Sequence, residues 1–194
     1  MPPASGLFEA INSFARSTPW LHAPMAAYAV YGIVVFAGFI VVGWWLARSR
    51  DARTMAYALI TPVAAVAAYG VQQVIVGLVG EARPYALLPH ALVLVTKTTD
   101  PSFPSDHACV CAAVTVGLFF VDRRLGWVAA AAALLMAFAR VYVGAHWPLD
   151  VVAGLAVGAT VALLVILLLR GLVERLVRWA RGTPLRPLVA GAPG

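Results

Sequence analysis

Charge is scarce in this sequence: charged residues make up 11% of 194, against 62% hydrophobic, and the mean hydropathy is +0.89. That balance excludes an ordinary soluble domain and makes lipid the solvent of most of the chain. Cysteine is nearly absent. Cys109 and Cys111 stand two apart in an apolar run, where a helix points them to different sides, so they are read as packing residues rather than a disulfide. The opening residues lack the basic start and apolar core of a cleaved signal peptide, so the first span is expected to be an uncleaved anchor. No repeat and no second domain is visible. No cluster of carboxylates suggests a magnesium site, since Asp100, Asp106 and Asp150 are scattered among other roles, and His22 and His90 have no ligand spacing to His107 or His146. No metal or other cofactor is therefore expected. The net charge of +6 and pI near 9.9 do not indicate nucleic acid, because the arginines flank apolar runs instead of forming one aromatic-laced patch. An anionic membrane surface and an anionic substrate account for them.

The long hydrophobic runs define the architecture. Ala23 to Ala47 and Met55 to Gly80 carry no charge, and each exceeds the ~20 residues that cross a hydrocarbon core. Val151 to Leu169 is a third such run. Ala108 to Val121 and Leu125 to Ala139 are slightly short, and reach spanning length only if Ser105, Asp106, His107 and Arg140 at their ends sit at membrane depth. Ionisable groups there are functional candidates, since burying them is costly. The expectation is an all-α, polytopic membrane bundle with about five spanning helices and short interfacial helices. Leu7, Phe8, Ile11, Phe14 and Ala15 share one face before Ser17-Thr18-Pro19. Leu172, Val173, Leu176 and Val177 oppose Arg175, Arg178 and Arg181 near the other end. The division expected is an amino-terminal interfacial segment 1–22, a membrane domain 23–170 and a basic tail 171–194.

If five helices alternate, Arg48, Arg50, Arg53, Arg123, Arg124, Arg170, Arg175, Arg178, Arg181 and Arg186 share one side, 10 of the 14 basic residues, and Arg16, Arg83, Lys97 and Arg140 take the other. The positive-inside rule makes the rich side cytoplasmic. A multi-pass protein of the plasma membrane is expected, with the carboxyl terminus inside. The amino terminus, the loop Glu81 to Pro104 and the turn Gly144 to Pro148 then face outward.

Three clusters meet on that outer face: Arg83-Pro84, Pro104-Ser105-Asp106-His107, and Arg140 through His146 to Asp150. Arg83 and Arg140 suit a phosphate, because a guanidinium is permanently charged and forks onto two oxygens. A helix starting near Ser105 aims free N–H groups at an anion, with the Ser105 hydroxyl as a further donor, and its positive end favours Asp106. His146 and Asp150 are four apart, so a helix beginning near His146 puts them within hydrogen-bond reach. Such a pair holds an imidazole in one tautomer, with its other nitrogen free to attack phosphorus. His107, on another helix, is then placed to protonate the departing oxygen.

The order and spacing resemble the type 2 phosphatidic acid phosphatase family, whose motifs read K-x6-R-P, P-S-G-H and S-R-x5-H-x3-D. The stretches Ser102 to His107 and Arg140 to Asp150, with Leu7 to Asn12, are similar to its undecaprenyl-diphosphatase branch, linked to bacitracin resistance. The resemblance implies a membrane lipid phosphatase with His146 as nucleophile, Asp150 as its orienter, His107 as general acid, and Arg83, Ser105 and Arg140 as phosphate binders. Val76 replaces the first-motif lysine and Ala139 the third-motif serine, so the phosphate cradle lacks one cation and one hydroxyl. Lys97 in the outward loop is a candidate for that cation, against the plainer reading of a solvated lysine. Asp106 stands where the family has glycine, which fits the diphosphatase branch and makes it a further candidate at the phosphate. The substrate expected is undecaprenyl pyrophosphate or a similar polyprenyl diphosphate, with membrane lipids as the other partner. Another lipid phosphate, such as phosphatidylglycerophosphate, phosphatidic acid or a prenyl-phosphoryl sugar phosphate, is the alternative, and a low-turnover lipid-binding or transport protein is a further one.

Overall fold

The structure is a computed structural model, and it describes residues 5–191. The outermost residues of the two expected terminal segments, 1–4 and 192–194, lie outside it. The described residues form helices and connecting loops without a strand: α1 (Ser5–Ser17), α2 (His22–Tyr31), α3 (Ile33–Ala47), α4 (Ala52–Val79), α5 (Pro84–Leu87), α6 (Asp106–Val121), α7 (Arg123–Tyr142), α8 (Pro148–Ala180) and α9 (Arg186–Val189).

The charge-free run 23–47 is not one straight helix. It bends by 56° between α2 and α3, at Gly32. The segment around α4, α7 and α8 are each long and apolar enough to cross a membrane, and the bent α2–α3 pair passes the same test as one span. α6 has only 16 residues, about 24 Å of helix. It is the centre of the bundle, packed against α4, α7 and α8, and also against α3. Its core residues include Cys109, Ala113, Val114 and Leu118. Both cysteines are free, and both are buried because α6 has neighbours on several sides. Large apolar residues on the outside, such as Leu78 at 81% exposure and Leu168 at 78%, are what lipid contact calls for.

α6 and α8 cross closely where side chains are missing. A Cβ on Gly158 would lie 2.0 Å from the Cys109 carbonyl oxygen, and one on Gly154 would lie 2.5 Å from that of Ser105. Small residues at a helix crossing let backbones approach, as is common in membranes. The consequence is functional: the start of α6 is pinned to the start of α8 by a hydrogen bond from the Ser105 N–H to the Asp150 carbonyl, at 3.0 Å.

The amino-terminal helix forms as its pattern predicts, with Phe8 and Ala15 buried. Phe8 packs on Trp147 at 5.1 Å between ring centroids, so α1 braces the turn between α7 and α8. The apolar face of 172–177 belongs to the last turns of α8, which runs unbroken to Ala180.

Candidate active site

Each side chain of the site is held by a helix end. Asp122 starts α7 as an N-cap, accepting from the N–H groups of Arg124 and Leu125 at 3.0 Å each, and at the far end of α7 Arg140 turns inward. The chain then reverses through Gly144, whose φ of +78° suits glycine; a Cβ there would also lie 2.4 Å from the Leu92 carbonyl oxygen. Pro148 opens α8 at its first turn, where a missing N–H costs nothing.

His146 is 1% exposed and Asp150 fully buried. The two do not meet as neighbours on a helix face, because His146 lies before α8 begins. They meet because the Asp150 carboxylate folds back over the helix start: Oδ2 accepts from the Trp147 N–H at 2.8 Å and lies 3.4 Å from His146 Nδ1. The nearer partner of Nδ1 is the Ser102 carbonyl oxygen at 2.9 Å. Both partners are acceptors, so Nδ1 carries the proton and Nε2 keeps its lone pair. Nε2 accepts a hydrogen bond from Arg140 Nη2 at 3.1 Å. Burial lowers the His146 pKa below the ordinary imidazole value; the hydrogen bond to Asp150 opposes that shift, and the positive charges of Arg140 and Arg83 add to it. The imidazole is thereby kept neutral, with Nε2 unprotonated.

Arg140 is 8% exposed. Its Nη1 donates to the Ala29 carbonyl at 3.1 Å, close to the bend after α2. The Arg83 guanidinium is fixed by bonds from Nε to the Asp100 carbonyl at 2.8 Å and from Nη1 to the Ala145 carbonyl at 3.0 Å. Ser105 is the N-cap of α6, and its buried Oγ has no partner among the described residues, a donor left for a ligand or water.

His107 Nδ1 lies 2.8 Å from Asp106 Oδ1, which also accepts the His107 N–H at 2.7 Å. Asp106 is thus hydrogen-bonded to His107 through Oδ1, and it also lines the cavities of the site. Lys97 stands with Nζ 5.6 Å from the Tyr85 ring centroid. His22 and His90 are elsewhere: His22 Nε2 bonds the Ala15 carbonyl at 2.8 Å, and the His90 carbonyl accepts from Arg16.

Two adjoining cavities result. One, of ≈ 210 Å³, is lined by His146, Arg83, Asp106, Tyr69, Gln72 and Gln73 among others. The other, of ≈ 290 Å³, is lined by His107, Arg140, Arg83, Asp106, Tyr85 and Thr96 among others. Val76, at the family's lysine position, does line the first cavity. Tyr69, Gln72 and Gln73 were not singled out from the sequence. Two adjacent carboxamides on the Val76 side of an otherwise uncharged span were the available signal, since polar groups at membrane depth face the bundle interior. The Ser102 carbonyl carries no side-chain signal at all. No group of three or more histidines, cysteines or carboxylates that could hold a metal occurs among the described residues.

This arrangement offers a neutral imidazole, a second histidine and two guanidiniums around space for a phosphate. A sequence profile of the PAP2 superfamily matches residues 57–173, which contain all three clusters. The chain is 30% identical over 164 residues to undecaprenyl-diphosphatase BcrC of Bacillus subtilis (strain 168), covering 81% of this chain and 80% of that one. It is 37% identical over 83 residues to undecaprenyl-diphosphatase of Sulfolobus acidocaldarius, covering 42% and 40%. In fold it is similar to the transmembrane PAP2-type phosphatidylglycerolphosphate phosphatase of Bacillus subtilis, with a TM-score of 0.58 over 89% of each chain at 18% identity. The chain belongs to the PAP2 superfamily and is a membrane lipid phosphatase, a hydrolase of phosphate esters or anhydrides.

Proposed function

We propose that the protein hydrolyses a polyprenyl diphosphate, undecaprenyl diphosphate or a close relative, to the monophosphate through a phosphohistidine on His146. The observation that carries this reading is the buried His146, with its Nδ1 proton committed to Ser102 and Asp150 and its Nε2 lone pair turned toward Arg140. The diphosphatase names of the relatives support the substrate class.

Arg83, Arg140 and the Ser105 hydroxyl bind the terminal phosphoryl oxygens. Arg140 exchanges its contact with Nε2 for the phosphate, which frees the lone pair as substrate arrives. Nε2 forms the N–P bond while the bond to the bridging oxygen breaks, its electron pair leaving with the lipid phosphate. Water then attacks phosphorus, the N–P bond breaks, and Nε2 recovers its lone pair. His107, oriented by Asp106, supplies a proton to the leaving oxygen where one is needed and takes one from the water. Fixed donors around the equatorial oxygens account for most of the catalysis. The apolar cavity of Ile33, Tyr69 and Val110, which also touches Asp106 and His107, receives the lipid beside the reacting group. The site opens on the extracytoplasmic face and the carboxyl terminus is cytoplasmic, a reading supported by the distribution of arginines.

The test is phosphate release by purified protein from polyprenyl diphosphate, polyprenyl phosphate, phosphatidic acid and phosphatidylglycerophosphate, with and without chelator. The diphosphate is expected to have the highest kcat/KM, undiminished by chelator. A preference for a glycerolipid would replace the substrate assignment, and release from none would favour a binding or transport protein.

A further inference from the structure

Resting on the diphosphatase reading above, we infer that the second cavity is a separate subsite for the lipid-proximal phosphate of a diphosphate, with Thr96, Thr98 and Lys97 as its specificity-determining groups. A monoester presents one tetrahedral anion, whereas a diphosphate presents two, joined by a single oxygen. Two adjoining cavities with Arg83, Asp100 and Asp106 as their common wall match the second shape.

In-line attack decides which phosphate goes where. The nucleophile His146 lines the first cavity and not the second, so the phosphoryl group under attack occupies the first. The bridging oxygen must point away from Nε2. His107 lines the second cavity and not the first, so the departing lipid phosphate falls there. The apolar cavity shares Asp106 and His107 with the second cavity and Tyr69 and Asp106 with the first, so it adjoins both, and the tail follows the phosphate that carries it.

The second cavity has the donors such a group requires. Thr96 and Thr98 line it; the Arg140 guanidinium also lines it and reaches His146 Nε2 of the first cavity at 3.1 Å, so it stands between the two phosphates and serves the terminal one. Tyr85, another lining residue, is held rigidly: its hydroxyl donates to the Thr98 carbonyl and accepts from the Thr98 N–H, each at 2.9 Å. Lys97 rests its ammonium against that ring, a contact weak enough to give up for the anionic lipid-proximal phosphate. This also explains the Val76 departure. The cation missing from the first cavity is offset by one beside the second, so positive charge is redistributed from a site for one phosphate to a site for two.

The test compares wild type, Thr96→Val and Lys97→Ala, all in an exposed loop, on a polyprenyl diphosphate and the polyprenyl phosphate of equal length. Inhibition by methylenediphosphonate and by inorganic phosphate gives a readout independent of turnover. Each variant is expected to lower the diphosphate-to-monophosphate ratio of kcat/KM about tenfold, as loss of one charge-assisted bond predicts, and to reduce the advantage of methylenediphosphonate over phosphate similarly. Unchanged ratios in a wild type that cleaves the diphosphate would overturn the second subsite alone. A wild type that cleaves only monoesters would overturn the diphosphatase reading together with it.

Discussion

At the residue scale the account turns on His146 and His107, which two experiments separate. The pKa of His146 is depressed, chiefly by burial, and attack requires the neutral ring. Activity should therefore persist below the ordinary imidazole value of about 6.5 and fall only as the pH drops through the lower value. Arg83 contributes to that depression, so Arg83→Gln is expected to move the acid limb of the kcat/KM profile upward, in addition to weakening binding. A limb that stays in place or moves down would contradict the electrostatic reading of the pair. His107→Ala addresses the leaving group. A diphosphate expels a lipid phosphate, already a stable anion, whereas a monoester expels an alkoxide that needs a proton. General acid catalysis typically contributes ~10²- to 10⁴-fold, so kcat/KM should fall much further for the monoester than for the diphosphate when bond cleavage limits both. Equal losses would mean that His107 serves chiefly to bind phosphate.

At the scale of helices, the site depends on how closely α6 and α8 approach. Gly158→Ala places a methyl 2.0 Å from the Cys109 carbonyl oxygen, and overpacking of this kind costs typically ~1–3 kcal/mol. The helices must separate, which lengthens the Ser105–Asp150 backbone bond and loosens the orienter of His146. A lowered Tm in detergent together with reduced kcat is expected. Gly38→Ala, where an added Cβ meets nothing within 4 Å, is the control and should leave both near wild type. A lowered Tm with unchanged kcat in Gly158→Ala would show that the crossing does not set the site. Much of this level was legible in the sequence. Charge-free runs locate α4, α7 and α8, and the polar ends of the short run locate the start of α6 and the end of α7. The bend at Gly32 was not legible, because an apolar run bounds a span without revealing a break inside it. Nor was the fold-back of Asp150 over the start of α8, since a four-residue spacing reads the same for a helix face as for a capping turn.

At the scale of the whole molecule, the arginine asymmetry predicts sidedness. A reporter fused at the carboxyl terminus should score cytoplasmic, and a cysteine introduced at Thr98, on the exposed loop, should react with an impermeant reagent in intact cells. Labelling that appears only after the membrane is opened would invert the orientation. The candidate site stood out in the sequence because its charged residues are few and lie at helix ends, where a membrane tolerates them only for a purpose. The walls were less so. Tyr69, Gln72 and Gln73 join them through tertiary packing, and Ser102 acts through its backbone.

The central claim, a covalent intermediate on His146, is tested most directly by the stereochemistry at phosphorus. A polyprenyl diphosphate analogue with an isotopically chiral terminal thiophosphoryl group is hydrolysed in water enriched in the third oxygen isotope, and the configuration of the released thiophosphate is determined. Attack by Nε2 followed by attack of water inverts the centre twice, so net retention is predicted. Net inversion would mean that water displaces the lipid phosphate in a single step, and would contradict the account.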